Sequence, residues 1–243
     1  MAPTYVYGLV AANSSLPEGL AGLGPSERVS TISHGQLAAI VSDIPVDRPL
    51  GTRDDLIAHE NVLDSVARGT TVLPMRFPAV VEEEGIVEEL LAPHHDHFVE
   101  VLAELEGRVQ FTLKGRYEQD VVLREVIEDN EEIRALQERV RELPEDASYY
   151  DRVRLGELIV TELEDRRDEE ADAMLDRLGP TVVEAIVHRP GAPEDVINVA
   201  FLVDREHQQR FEDAVDDLGQ DLHGRVRLRL LGPLAPYDFV SED

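Results

Sequence analysis

From Val109 onward the apolar residues switch repeatedly between a period of two and a period near 3.6, and the order of those switches constrains the fold more than any other feature. Val109, Phe111 and Leu113 alternate with Gln110, Thr112 and Lys114, as in a strand with one buried face. Between Glu118 and Arg177, 21 acidic and 9 basic residues accompany helical spacing, which predicts several successive helices with solvated acidic faces. Pro144 marks an interruption there and Ser148 a new N-cap. Ala171, Met174, Leu175 and Leu178 fall at i, i+3, i+4 and i+7 before Gly179-Pro180 ends the run. Thr181–His188 and Val196–Val203 then read as a hairpin turning at Gly191-Ala192-Pro193. Asp204 is placed to cap a helix carrying Phe211, Ala214, Val215 and Leu218, and Val226, Leu228 and Leu230 alternate with arginines in a last strand. Strand, helices, strand, strand, helix, strand is the split βαβ plan of a ferredoxin-like domain with a helical insertion in its first crossover.

The first hundred residues have a different layout. Tyr5–Val10 is β-rich, and Arg28–Ile32 and Leu37–Val41 flank His34-Gly35, where glycine supplies the positive φ of a tight hairpin. Thr52 and Asp55 form a capping box for a helix over about 53–68, with Leu56, His59, Leu63, Val66 and Ala67 at helical spacing. Pro74 and Pro78 bound a segment that permits an edge strand or extended loop, and residues 82–106 return to helix with a break near Pro93. The expected organisation is α+β in two domains: residues 1–107, a modified ferredoxin-like domain over 108–231 with extra helices at about 118–178, and a tail, 232–243. Gly232-Pro233 and Pro236 argue against a regular element in the tail. Its Tyr237, Phe239 and Val240 favour packing back between the domains.

Composition removes whole classes of function. With 51 acidic against 23 basic residues the formal charge is −28, which repels nucleic acid and anionic membrane. The absence of cysteine excludes disulfides, thiol nucleophiles and thiolate metal sites. No run of about eighteen apolar residues is present and the N-terminus lacks a signal-peptide pattern, so a cytoplasmic location is expected.

The polar clusters make poor reaction centres. His94-His95-Asp96-His97 has metal-ligand chemistry, yet on a helix His94 and His97 share a face while His95 points about 100° away. A metal-dependent hydrolase on His94, His95, Asp96 and His97 is the remote alternative. His59-Glu60 lacks the second histidine of a zinc helix, since Leu63 stands there. Gly19–Gly24 lacks the Gly-Lys-Ser/Thr ending of a phosphate loop, and Ser26 lacks a nucleophile elbow. No catalytic, cofactor-binding or metal-ligating set is therefore assigned, and no cofactor is expected. Interaction surfaces are the better candidates. Strand alternation puts Lys114 and Arg116 on the same sheet face as Arg225, Arg227 and Arg229, a cationic strip in an acidic protein. Arg76 and Phe77 in the proline-bounded segment, and Tyr237 and Phe239 in the tail, complete the expected partner or domain interface.

Six segments occur in a telling order: Tyr5-Val6-Tyr7-Gly8-Leu9-Val10, His59-Glu60-x-x-Leu63, Val72-Leu73-Pro74-Met75-Arg76-Phe77, Lys114-x-x-Tyr117, Asn198–Val203 and Gly232-Pro233-x-x-Pro236-Tyr237-x-Phe239. Across nearly the whole chain this resembles the gas vesicle proteins of the F/L family. Pro78, where the family often has glycine, and Leu234-Ala235, where tryptophan and proline are frequent, depart from its pattern. The resemblance implies a non-enzymatic role in building gas vesicles. It also implies an N-terminal α+β domain, a modified ferredoxin-like C-terminal domain and a tail joining the two. Expected partners are the hydrophobic shell protein and other gas vesicle accessory proteins, with neither nucleic acid nor membrane among them. A minor structural component of the finished vesicle is the alternative role, and a small-molecule sensor a further one.

Overall fold

A computed structural model describes residues 3–24, 26, 28–45, 48–144 and 147–240. The chain divides into two units, one of Met1–Phe111, Leu202–Gln208 and Leu231–Asp243, the other of Thr112–Phe201 and Gln209–Leu230.

In the first unit, strands β1 (Pro3–Ala11), β2 (Ser30–His34), β3 (Leu37–Asp43) and β4 (Leu73–Pro74) form an antiparallel sheet in the order β2-β3-β1-β4. β5 (Val80–Glu82) also pairs with β1. The expected hairpin is present, with Gly35 at φ 58°. β1 is buried on both faces, and its register shifts between Val6 and Gly8. That irregularity explains an odd spacing: Tyr5, Tyr7 and Val10 enter one apolar cluster, while Val6 and Leu9 enter the other.

Helix α1 (Arg53–Ala67) supplies Val62, Leu63 and Val66 to the Tyr5 cluster. Its predicted capping box is formed, with the Thr52 amide donating to Asp55, and the Asp55 carboxylate additionally accepts from the Gly51 amide and pairs with Arg48. The Val6 cluster is covered by a π-helical turn (Ile86–Leu91) and by α2 (His95–Glu104), through Ile86, Leu91 and Leu102. The break near Pro93 is therefore observed, but the residues before it form β5 and a π-helical turn in place of an α-helix. A short apolar run such as Val80-Val81 does not distinguish strand from helix by periodicity.

The second sheet has the order β7-β8-β6-β9, from β6 (Arg108–Tyr117), β7 (Glu184–Val187), β8 (Asp195–Asp204) and β9 (Val226–Leu234). Helices α3 (Gln119–Asp129), α4 (Glu131–Glu142) and α5 (Tyr149–Leu178) lie between β6 and β7, and α6 (Gln208–Asp221) between β8 and β9. Gly115 in β6 carries no side chain because a Cβ there would press on Ile197 and Leu228. Phe211, Val215 and Leu218 of α6 are buried, with the Phe201 and Phe211 ring centroids 5.4 Å apart. No helix among the described residues is long and apolar enough to cross a membrane.

Three local expectations are corrected, and one, the N-cap at Ser148, is met in position. β9 continues through Gly232-Pro233 to Leu234, because proline costs no ladder bond on an edge strand. Gln110 is buried despite its place on the polar side of the alternation, since its amide is used by Asp238. Ser148 occupies the N-cap of α5 as expected, although its hydroxyl oxygen accepts no capping hydrogen bond from the first-turn amides. Asp204 does not cap a helix directly; a 3-10 turn (Arg205–His207) intervenes, and its carboxylate approaches Arg108 at 3.6 Å and His207 at 3.6 Å.

Candidate partner-binding surface

In the first unit, residues 232–240 are fastened by polar contacts at spaced points. The Ala235 amide donates to Asp64 Oδ1 at 3.0 Å, and the Asp238 amide to Gln110 Oε1 at 3.1 Å. Gln110 Nε2 donates back to Asp238 Oδ2 at 2.5 Å. Gly232, at φ 150°, lies against the Phe111 ring where any Cβ would collide with it. A 3-10 turn (Tyr237–Phe239) then presents Tyr237 to the Tyr5 cluster and Phe239 and Val240 to the Val6 cluster.

Tyr237 meets an aromatic nest around His59. The His59 side chain is 1% exposed, its Nδ1 lies 3.0 Å from the Tyr5 hydroxyl, and its ring stacks on Tyr7 at 5.8 Å and meets Phe77 at 5.7 Å and Tyr237 at 6.1 Å. Burial pulls the His59 pKa down to about 4, only partly offset by the Met75 carbonyl. At neutral pH this imidazole is an uncharged ring in an aromatic stack, and among the described residues its hydrogen-bond neighbour is the Tyr5 hydroxyl and not a carboxylate. Its Nε2 and the Tyr237 hydroxyl are buried without a hydrogen-bond partner among the described residues. Burial pushes the Tyr237 phenol well above its ordinary range, with Asp64 and Glu60 adding to the effect.

Beside this nest lies a groove of about 500 Å³. Leu73–Arg76 forms one wall, His97, Phe98 and Val101 of α2 another, and Tyr237, Asp238 and Val240 the third. Apolar side chains dominate, and Arg76, His97 and Asp238 mark the rim, the arrangement expected of a site for an apolar segment with a few orienting polar groups. A more open hollow of about 750 Å³ in the second unit has Glu118, Asp120, His223 and Arg227 in its lining beside Val121, Val226 and Leu228.

Of the residues singled out in the sequence, Arg76 and Tyr237 line the groove, Phe77 turns to Tyr5 and His59, and Phe239 packs in the Val6 cluster. Phe98 and Val101 were not singled out. Their i, i+3 spacing behind the histidine run was the available signal.

The arginines of the second unit are largely engaged within it. Arg225 donates from Nη1 and Nη2 to Glu170 at 2.9 and 2.5 Å, and from Nε to Glu125 at 2.7 Å. Its guanidinium also lies 5.9 Å from the Tyr117 ring centroid. Arg227 pairs with Glu118 and Arg116 with Asp195, whereas Lys114 and Arg229 are exposed on the strands.

In the histidine run, His95 Nδ1 lies 3.0 Å from Asp96 Oδ1 and its Nε2 accepts from the Gln36 amide at 3.4 Å. His94 and His97 instead flank Phe98, each 5.7 Å away. Among the described residues no three His, Asp or Glu side chains converge as metal ligands.

Comparison with known proteins gives matches that extend over nearly the whole chain. The model of the family described as "Gas vesicle synthesis protein GvpL/GvpF" matches residues 3–241. Gas vesicle protein F of Streptomyces sp. (strain CB03234) is 37% identical over 244 residues, covering 98% of this chain and 99% of that protein. Gas vesicle protein L of the same strain is 32% identical over 261 residues, covering 98% and 92%. The crystal structure of GvpF from Anabaena sp. PCC7120 superposes with a TM-score of 0.82 at 25% identity, over 100% of both chains. GvpF from Microcystis aeruginosa superposes with a TM-score of 0.77 at 25% identity, over 98% and 99%. With a family match that leaves out only the first two and last two residues, this chain belongs to the GvpL/GvpF family of gas vesicle proteins.

Proposed function

We propose that this protein is a non-enzymatic accessory factor that binds the hydrophobic shell protein, or other gas vesicle proteins, during vesicle assembly in the cytoplasm. The observation carrying the reading is the groove between Leu73–Arg76, α2 and the C-terminal turn, whose apolar lining suits an aggregation-prone apolar segment. A charge of −28 favours solubility while such a segment is held. Arg76 on the rim is suited to orient a carboxylate or carbonyl of the guest. Within this reading the second unit is a modified ferredoxin-like domain. Its strand order β7-β8-β6-β9, with three helices in the first crossover, supports that description. The exposed Lys114 and Arg229 leave a reduced cationic face for an acidic accessory protein.

Co-expression with the shell protein and affinity capture tests the proposal. The wild-type protein is expected to recover the shell protein or another gas vesicle protein, and Val101→Asp to lose it while circular dichroism still shows a folded chain. Recovery of none by the wild type, or equal recovery by both, overturns the groove as the binding site. Immunoblots of purified vesicles before and after stripping peripheral proteins distinguish a transient factor from a resident component.

A further inference from the structure

Strand β7 ends the second sheet with one side unpaired: among the described residues β8 is its one neighbour in the sheet. A free strand edge presents backbone donors and acceptors to any other strand, and edges that must stay single are guarded by charge, proline or a covering element. The opposite edge, β9, is guarded in this way by Arg227, Arg229 and Pro233. β7 reads Glu184-Ala185-Ile186-Val187, with neither proline nor a basic residue. Val183 just before it and Val187 at its end are 43% and 61% exposed.

The pairing with β8 fixes which backbone groups face outward. The His188 N–H donates to the Asn198 carbonyl at 2.8 Å. Bonding alternates along an antiparallel strand, so Ile186 and Glu184 bond toward β8 as His188 does, and the N–H and C=O of Ala185 and Val187 point away from the sheet. Two such strands laid antiparallel about a two-fold axis at Ile186 bring Ala185 opposite Val187 of the second copy in hydrogen-bonded positions, which uses the outward groups of both residues. The same register sets Ile186 against itself and Glu184 opposite His188 of the second copy, a carboxylate facing an imidazole that can donate to it, with no like charges opposed. Moving the axis one residue either way, to Ala185 or Val187, loses the match of Glu184 with His188.

We infer that β7 is a self-association edge, at which a second copy of this chain adds its β7 and joins the two four-stranded sheets into one. The pairing is isologous and closes at two copies. Four residues a side bury far less than the roughly 1,200–2,000 Å² of a stable interface, so the dimer is weak. Each copy carries −28, so salt strengthens the association by screening the repulsion. This edge is separate from the groove of the first unit.

Sedimentation of the full-length protein from about 10 to 500 μM, at about 0.05 and 0.5 M salt, tests the inference. The wild type is expected to shift from monomer toward dimer across that range, with a dissociation constant severalfold lower at the higher salt. Ala185→Pro removes an outward N–H that makes no bond to β8, and is expected to stay monomeric while circular dichroism shows a folded chain. A second readout stands apart from that variant. The chain has no cysteine, so Ile186→Cys, which places a thiol from each copy at the axis, is expected to form a disulfide dimer under mild oxidation. Ala185→Cys, offset across the axis, is expected to do so at least tenfold less. A wild-type monomer at every concentration overturns the inference, whether or not the chain captures an extended peptide. So does a dimer retained by folded Ala185→Pro, or equal cross-linking of the two cysteine variants.

Discussion

Gln110 and Asp238 exchange two hydrogen bonds across 128 residues of sequence: the amide nitrogen donates to the carboxylate while the amide oxygen accepts from the backbone N–H. Gln110 is 4% exposed, so its partners cannot be replaced freely by water. Replacing Gln110 with Ala is expected to cost about 1–3 kcal/mol in thermal or denaturant unfolding. It should also loosen Asp238 and Tyr237 from the groove wall, detectable as faster amide exchange over residues 235–240. Unchanged exchange there would rule out the pair as the fastening point.

Two buried groups divide the acid range between them. His59 is held neutral with its pKa down to about 4 against an ordinary 6.5, so the unfolded chain binds the extra proton between those values. Stability is expected to fall as pH drops from 6.5 toward 4, by on the order of 3 kcal/mol from this residue. Asp55 lies well below the usual carboxylate range because of Arg48, with the Thr52 and Gly51 amides reinforcing it, so its contribution is intact above about pH 4 and lost below. Melting curves of His59→Phe should lose the upper slope and keep the lower one, and Asp55→Asn the reverse.

Arg225 sits between two carboxylates that would repel each other in its absence. Its side chain is 25% exposed, so the loss on Arg225→Ala should fall at the lower end of the range for buried pairs, about 3 kcal/mol. Arg225→Lys preserves the charge but not the fork that reaches Glu170 and Glu125 together, and should recover less than half of that loss in urea titrations.

Gly8 is in the middle of β1, where a methyl group would stand 2.6 Å from the Leu73 carbonyl oxygen and 2.9 Å from Leu63 Cδ2. Gly8→Ala is expected to destabilise by about 1–3 kcal/mol and to displace β4, the strand that leads into the groove wall. A melting temperature equal to wild type would show that the approach of β4 is not fixed by this residue.

The elements that could be read in the sequence are those whose signals are local. Thr52 with Asp55, Gly35 between two β-rich runs, and Phe211, Val215 and Leu218 on one helical face each specify structure within about four residues. Arg76 and Tyr237 could be singled out by chemistry, but not their meeting on one groove, because their encounter depends on residues 161 positions apart. Val80-Val81 and Ile86–Leu91 were unreadable for a different reason. A three-residue strand and a six-residue π-helical segment are too short to repeat their period often enough to be told apart. Gln110 shows the same limit, since its burial is set by Asp238 and not by its neighbours.

The first unit draws its residues from three stretches of the chain, the last beginning at Leu231. A ribosome therefore finishes the second unit before it has delivered the final wall of the groove. Until Tyr237, Asp238 and Val240 emerge the groove has two of its three walls, so under the proposed function a partner is captured only after residues 237–240 have been made.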